Sequence, residues 1–248
     1  MSTTEAQLIE VFGSIQGEGL YVGEKQIFIR FAGCNLNCSY CDSVDAREIP
    51  KEFKFEVSAG GKEYKKYPNP ATAAQLLELV KSLDKPQGNA QAISLTGGEP
   101  LLQVDFLKNF IPQLKKEVKL PVYLETNGTL PDHLTEIIDL VDIIAMDIKI
   151  SGEYLKEHKK FLETAFLKEV FVKVVFTKES KIKELEAVLA LIASVAADIP
   201  LVLQPVTPHG PVKHRPAAEQ IFAFYNLARR KLNKVKVIPQ TQAIFGVK

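Results

Sequence analysis

The chain has 248 residues, 46% hydrophobic and 25% charged, ordinary values for a folded protein long enough to bury a substantial core. Its 31 Lys and Arg face 30 Asp and Glu for a net charge of +1, so charge alone gives no argument for direct nucleic-acid binding or for attraction to a membrane. Residues 1–10 lack a basic stretch followed by an apolar one, and no apolar run approaches about 18 residues, so neither an export signal nor a spanning helix is expected.

In chain order, residues 26–31 (Q-I-F-I-R-F) read as a strand ending in the loop G-C-N-L-N-C-S-Y-C-D, which carries Cys34, Cys38 and Cys41. The chain has 3 cysteines and all lie in this loop; no distant partner remains for a disulfide, and the thiols serve one local site. Three soft ligands at C-x-x-x-C-x-x-C spacing suit three irons of a cubane cluster with the fourth iron open. Spacing leaves two alternatives: a zinc site completed by a histidine, or thiols packed as small apolar groups. A reducing cytoplasm suits three free thiols.

Residues 45–70 then read as an inserted β-hairpin, with runs at 53–57 and 62–67 flanking a turn at 58–61. The expectation is a flap, serving either as plain decoration or as a cover beside the cysteines. Next come a helix at 71–83, a strand at 92–95 running into T-G-G-E-P at 96–100, and a helix at 104–118. Strands follow at 121–125, 143–147, 169–176 and 201–204, with helices at 134–140, 154–165, 181–196 and 216–232. This alternation implies parallel strands joined by crossovers: an α/β sheet curled toward a partial barrel, in one domain over residues 1–248.

A parallel sheet places its active site at the carboxyl ends of its strands. Here those ends carry the cysteine loop, Thr96 to Pro100, Glu125-Thr126-Asn127-Gly128, Asp147-Ile148-Lys149 and Gln204-Pro205-Val206-Thr207. The pair Gly97 and Gly98 would let a ligand approach the backbone, offering N–H groups to a carboxylate while Glu99 accepts from an ammonium. Both charged ends of an amino acid would then be matched, although a lone glycine pair reads equally well as a plain turn.

The cysteine triplet followed by G-G-E-P resembles the radical S-adenosylmethionine superfamily. That resemblance implies an incomplete parallel β/α barrel, a [4Fe-4S] cluster on Cys34, Cys38 and Cys41, and S-adenosylmethionine chelated to the open iron. One electron would cleave the sulfonium to methionine and a 5′-deoxyadenosyl radical. The stretches E-V-F-G-S-I-Q-G-E-G at 10–19, F-I-R-F-A-G-C at 28–34, C-D-S at 41–43 and V-I-P-Q-T-Q-A-I-F-G at 237–246 further resemble the 7-carboxy-7-deazaguanine synthase family. The activity so implied is a magnesium-assisted ring contraction of 6-carboxy-5,6,7,8-tetrahydropterin to 7-carboxy-7-deazaguanine with loss of ammonia, in queuosine and deazapurine biosynthesis.

By the same resemblance, Gly97, Gly98 and Glu99 would hold the methionyl end of S-adenosylmethionine, Thr126, Asp147, Lys149 and Gln204 would surround its ribose and adenine, and Tyr40 and Asp42 would also bind this cofactor. Ile15, Gln16, Gly17, Glu18 and Thr96 would meet the pterin, Arg30 would clamp its carboxylate with a planar fork, and Ser43 would bind magnesium. Ser43 stands where the family commonly has threonine, and Gln242 where the closing motif often carries histidine. An electron donor such as flavodoxin and a homodimer are implied as well. Two other classes stay in view: a radical activase acting on a partner protein, against which the Q-G-E-G loop counts, and a zinc-stabilised binding module.

Overall fold

The computed structural model describes residues 4–61, 63–84 and 88–247; Lys62, the first residue of the second expected hairpin run, lies outside them. Six strands precede the first helix: β1 (Glu5–Ala6), β2 (Leu8–Ile15), β3 (Lys25–Phe31), β4 (Glu52–Glu56), β5 (Tyr64–Pro68) and β6 (Ala71–Thr72). Strand and helix then alternate through α1 (Ala73–Asp84), β7 (Ala92–Gly97), α2 (Val104–Val118), β8 (Val122–Thr126), α3 (Pro131–Ile137) and β9 (Ile143–Asp147). The series ends with α4 (Leu155–Ala165), β10 (Glu169–Phe176), α5 (Ile182–Val195), β11 (Leu201–Pro205), α6 (Ala218–Arg229), β12 (Val235–Val237) and α7 (Gln242–Phe245).

Among the described residues, ten strands form one open sheet in the order β12-β11-β10-β9-β8-β7-β3-β2-β4-β5, while β1 and β6 pair separately. β3 and β7 to β12 run parallel, as the crossovers require. No helix among the described residues is long and apolar enough to cross a membrane.

Two features depart from the sequence expectation. β2, whose residues carry a motif but no clean alternation, is a strand antiparallel to β3 and buried along most of its length. The hairpin is not a flap: β4 pairs parallel with β2, and β5 closes the edge of the same sheet. Phe53 and Phe55 are buried while Lys54 between them is exposed, and Phe53 stacks on Tyr67 at 5.6 Å between centroids. The buried Glu56 carboxylate accepts from the Gly13 N–H at 3.0 Å. Apolar burial and this bond hold the insertion in the sheet instead of over the cavity.

Period-two alternation gives the sheet two faces. Outward residues such as Ile27, Ile29, Phe31, Leu95, Leu124, Ile144, Val172, Val174 and Leu203 pack beneath the helices in one continuous core. α2 shows how the helices answer: Val104, Phe106, Leu107, Phe110, Ile111 and Leu114 form its buried stripe. Each fully buried Leu or Phe contributes about 1.5–3 kcal/mol. Inward residues make a second, smaller cluster of Ala92, Tyr123, Ile143, Ala145, Phe171 and Val202, plugged by Leu20, Tyr21 and Ile238. Beyond this apolar floor the same face turns polar.

Candidate active site

One cavity is lined by Cys34, Cys38 and Cys41, by Tyr40, Asp42 and Ser43 of the same loop, and by Gly97, Gly98, Thr126, Asp147, Lys149 and Gln204 at the strand ends. Gln16, Gly17, Glu18, Arg30 and Thr96 line it too. The strand-end rule does not anticipate residues 16–18. β2 runs against the parallel strands, so its exit loop leaves from the end of the sheet opposite the cysteines and still reaches the same space. Of the residues expected from sequence, Ile15 and Glu99 do not line the cavity; Ile15 sits opposite Lys25 in the β2/β3 ladder.

At the cysteine end, the Leu36 N–H donates to Cys34 Sγ at 3.4 Å, and Arg47 grips the Cys38 carbonyl and the Asn37 side chain. Asn127 Nδ2 donates to Asn35 Oδ1 at 2.9 Å, and Asn35 Nδ2 to Thr129 Oγ1 at 2.8 Å, tying the loop to the end of β8. Burial pushes the Cys34 and Cys38 thiols up, so iron would have to displace their protons on binding. Among the described residues no three or more His, Cys, Asp and Glu side chains gather closely enough to hold a single metal ion. Three half-buried thiols lining one cavity from one loop instead suit a multi-iron cluster, which spreads its ligands over several metals.

The glycine pair has a different first duty from the one its sequence suggests. A Cβ on Gly98 would collide with the Gly33 carbonyl, and one on Gly97 with the Phe31 backbone. Gly97 also has a φ of 131°, which disfavours any side chain there. The pair lets the exit of β7 lie against the cysteine loop, where Gly98 N–H donates to Phe31 O at 3.1 Å and Glu99 N–H to Gly33 O at 2.8 Å. Glu99 likewise corrects its expected use as an ammonium acceptor. It is fully buried, and its carboxylate takes the Leu101 N–H at 3.1 Å, the Thr126 hydroxyl at 2.8 Å and the Asn127 N–H at 2.8 Å. Burial raises its carboxyl above the usual range against the pull of these donors. Glu99 therefore braces two strand ends from behind.

On the neighbouring wall, Lys149 Nζ lies 3.0 Å from Asp147 Oδ2 and 5.8 Å from the centre of the Tyr40 ring. Burial works to lower the lysine, but the groups around it, Asp147 foremost with Tyr40 and Cys38, together outweigh burial and the ammonium is held charged. Asp147 Oδ1 and Gln204 Oε1 are buried acceptors without a partner among the described residues. Such acceptors, in residues that line the cavity, fit the hydroxyl and amino donors of a nucleoside. Burial drives the His158 pKa down to about 4, so its neutral ring is 3.0 Å from the Asn127 carbonyl through Nε2, which must then be the N–H donor.

The opposite wall is built from paired charges. Arg30 Nε donates to Glu10 Oε1 at 3.1 Å and Nη1 to Ser43 Oγ at 3.3 Å, with the guanidinium 5.5 Å from the Phe12 ring centre. Ser43 Oγ donates to Asp42 Oδ1 at 3.1 Å; these hydroxyl and carboxylate oxygens are the hard donors a magnesium ion prefers. Glu125 Oε1 accepts from Gln16 Nε2 at 2.9 Å and Ser94 Oγ at 3.0 Å, and its Oε2 from Thr96 Oγ1 at 3.3 Å. Glu18 pairs with Lys173 and accepts from Gln240 Nε2 at 2.8 Å and Gln242 Nε2 at 3.1 Å. Burial pushes the Glu18 carboxyl up, but the Lys173 charge and these hydrogen bonds bring it down to about 2.

Sequence reasoning assigns no role to Glu10, Arg47, Glu125, Lys173 or Gln240. Glu125 stands at a recognised strand end, and a lysine between Phe171 and Val175 in an otherwise apolar strand is a signal that the inward face is polar. Gln240 has no local signal beyond its place in the closing motif.

A model of the radical SAM superfamily matches residues 28–174. Over the whole length, the chain is similar to proteins named 7-carboxy-7-deazaguanine synthase. The one from Geobacter sulfurreducens is 41% identical, with 99% of each chain covered. The one from Thermococcus kodakarensis is 34% identical over 93% of each. Among solved structures, the crystal structure of QueE from Escherichia coli matches with a TM-score of 0.60 at 19% identity, covering 94% of this chain and 93% of that one. At that identity the match speaks for the fold.

Proposed function

Because this chain belongs to the 7-carboxy-7-deazaguanine synthase family of radical S-adenosylmethionine enzymes, we propose that its cavity performs that family's reaction with the residue roles that follow. The enzyme is a lyase that converts 6-carboxy-5,6,7,8-tetrahydropterin to 7-carboxy-7-deazaguanine and ammonia, in queuosine and 7-deazapurine biosynthesis. The observation that carries the reading is that the loop of Gln16, Gly17 and Glu18, arriving from the far end of the sheet, shares one cavity with the cysteine triplet.

When bound, the cluster and S-adenosylmethionine would supply the radical chemistry that the pterin ring contraction needs. Cys34, Cys38 and Cys41 would hold the cluster, with Arg47 fixing the loop. The backbone of Gly97 and Gly98, with Tyr40, would take the methionyl end, and Thr126, Asp147, Lys149 and Gln204 the ribose and adenine. Arg30, braced by Glu10, would present its remaining N–H groups to the substrate carboxylate. Glu125 and Gln16 would face the amino-pyrimidine edge, whose donors suit a carboxylate. Ser43 and Asp42 would offer oxygens to magnesium. The apolar floor of Tyr123 and Phe171 closes the cavity beneath.

A flavodoxin-type protein supplies the electron, the enzyme works as a homodimer in the cytoplasm, and the chain acts as one catalytic unit in which residues 45–70 are an insertion that lengthens the sheet edge. Free thiols support the reducing compartment. An anaerobic assay with reduced cluster, S-adenosylmethionine and the carboxytetrahydropterin, following product by mass, tests the reaction. Formation of 5′-deoxyadenosine without the deazaguanine would reject the substrate assignment, and zinc in place of iron and sulfide would reject the chemistry. Sedimentation and turnover driven by reduced flavodoxin test the remaining parts.

A further inference from the structure

The segment from Gln240 to Gln242 ties together two loops that frame the cavity. Gln240 Nε2 donates to Glu18 Oε1 at 2.8 Å and to Asp42 Oδ2 at 2.6 Å, so a single amide nitrogen places both its hydrogens on carboxylates from different loops. Thr241 donates to the Gly17 carbonyl twice, from its N–H at 2.9 Å and its hydroxyl at 3.0 Å. On the other side, the Ile238 N–H donates to Leu203 O at 3.1 Å, anchoring the segment to β11. The amide orientation follows from chemistry: Glu18 is ionised, and an amide oxygen turned toward two carboxylates would meet no donor. Without Gln240, the Glu18 and Asp42 carboxylates, which line the same cavity, would lose the donor they share, and like charges repel.

Glu18 belongs to the proposed substrate loop, and Asp42 adjoins Ser43, which is bonded to Arg30. We propose that Gln240 is a positioning residue that sets the register between the substrate loop and the Asp42–Ser43 side, keeping the substrate's reacting hydrogen in line with the radical. The inference rests on the function proposed above. Gln240 acts through Glu18 and Asp42, so its loss disturbs substrate capture and coupling first. Lys173, which pairs with Glu18, also lies 3.8 Å from Asp147, so the wall of Asp147, Lys149 and Gln204 feels the loss only indirectly and keeps its own Asp147–Lys149 pair.

The test uses anaerobically reconstituted full-length enzyme as wild type, Gln240→Ala, Gln240→Glu, Asp42→Asn and the Gln240→Glu/Asp42→Asn double variant. Four quantities are measured: KM for each ligand, 5′-deoxyadenosine formed per product, and melting temperature. Gln240→Ala raises substrate KM about tenfold, the loss expected for one charge-assisted hydrogen bond. It also raises the ratio of 5′-deoxyadenosine to product and moves the S-adenosylmethionine KM far less than the substrate KM. Gln240→Glu, which sets a third carboxylate between two others, is worse. Adding Asp42→Asn gives that new carboxylate an amide donor, so the double variant loses less than the two single losses combined, a recovery that a merely structural role would not produce. An unchanged substrate KM and ratio in Gln240→Ala, equal loss of both ligands, or a purely additive double variant overturns the inference alone when wild type makes product. A wild type that makes no deazaguanine overturns the functional reading and this inference with it.

Discussion

On β3, Ile27, Ile29 and Phe31 point into the helix-packed core, while Phe28 and Arg30 between them line the cavity. β10 repeats the pattern, with Val172 and Val174 outward and Phe171, Lys173 and Val175 inward. One alternation thus serves two unlike environments. The outer face is apolar and gains stability from burial. The inner face gathers Glu18, Lys173, Asp147, Lys149, Glu125 and Arg30 in one space, where desolvating charge is costly unless every partner is present. Asp147 Oδ1 and Gln204 Oε1, without partners among the described residues, both lie on this inner side. The contrast separates the face that holds the fold from the face kept ready for ligands.

The sharpest way to break the comparison is at the cysteines, which belong to a loop and to neither face. Cys38→Ala should abolish cleavage of S-adenosylmethionine while leaving the circular dichroism spectrum and the cooperative unfolding transition in place. Full 5′-deoxyadenosine production by this variant would remove Cys38 from the cluster. Phe110→Ala, on the outer side, should do the reverse. Phe110 is fully buried and stacks on Phe106 at 5.1 Å, so truncation should cost about 3–5 kcal/mol in denaturant unfolding, with turnover per folded molecule unchanged.

Lys173→Met probes the inner face by removing one partner of a charge pair. The expected cost at neutral pH is about 2–3 kcal/mol, below the full range for a deeply buried pair because both side chains keep some solvent contact. The pH dependence gives the sharper reading. Glu18 has its pKa lowered from 4.5 to about 2, so its contribution is complete above about pH 4.5 and is lost as pH falls through about 2. In the variant, burial no longer meets the opposing lysine charge, and the carboxyl moves upward. Glu18 then penalises the folded state at neutral pH, and protonation relieves that penalty in acid. Urea midpoints measured between about pH 7 and pH 3 should therefore converge for wild type and variant as pH falls; a constant gap would mean that Lys173 does not control Glu18.

The smallest expected effect is at Ser43. Ser43→Ala should raise the magnesium concentration needed for half-maximal turnover, while Ser43→Thr should keep or improve the response, since the methyl restricts the hydroxyl without removing it. Identical magnesium curves for wild type and Ser43→Ala would dismiss Ser43 as a metal ligand.

Local signals carry much of this molecule. Helical periodicity marks α2 at Val104–Val118, and β-rich composition marks β9 at Ile143–Asp147 and β10 at Glu169–Phe176, each with the bounds read from sequence. Because parallel crossovers bring the strand ends to one side, most motif residues read at those ends share the cavity. β12, with three residues, is too short to carry a pattern, and β2 is buried on both sides, which erases the alternation that would announce it.

By itself, then, the sequence determined the strand–helix alternation, the gathering of the three cysteines in one loop and the identity of most cavity-lining side chains, because each depends on neighbours a few positions away. Tertiary structure alone decided which partners those side chains meet. Gly97 and Gly98 make room for the Phe31 and Gly33 backbone, Glu99 is consumed inside the protein, and the hairpin joins the sheet. Lys173 meets Glu18 across 155 positions and Gln240 meets Asp42 across 198. No local pattern encodes such pairs: they form only when the inner sheet face and its loops bring distant charges together, and burial then makes their electrostatics strong.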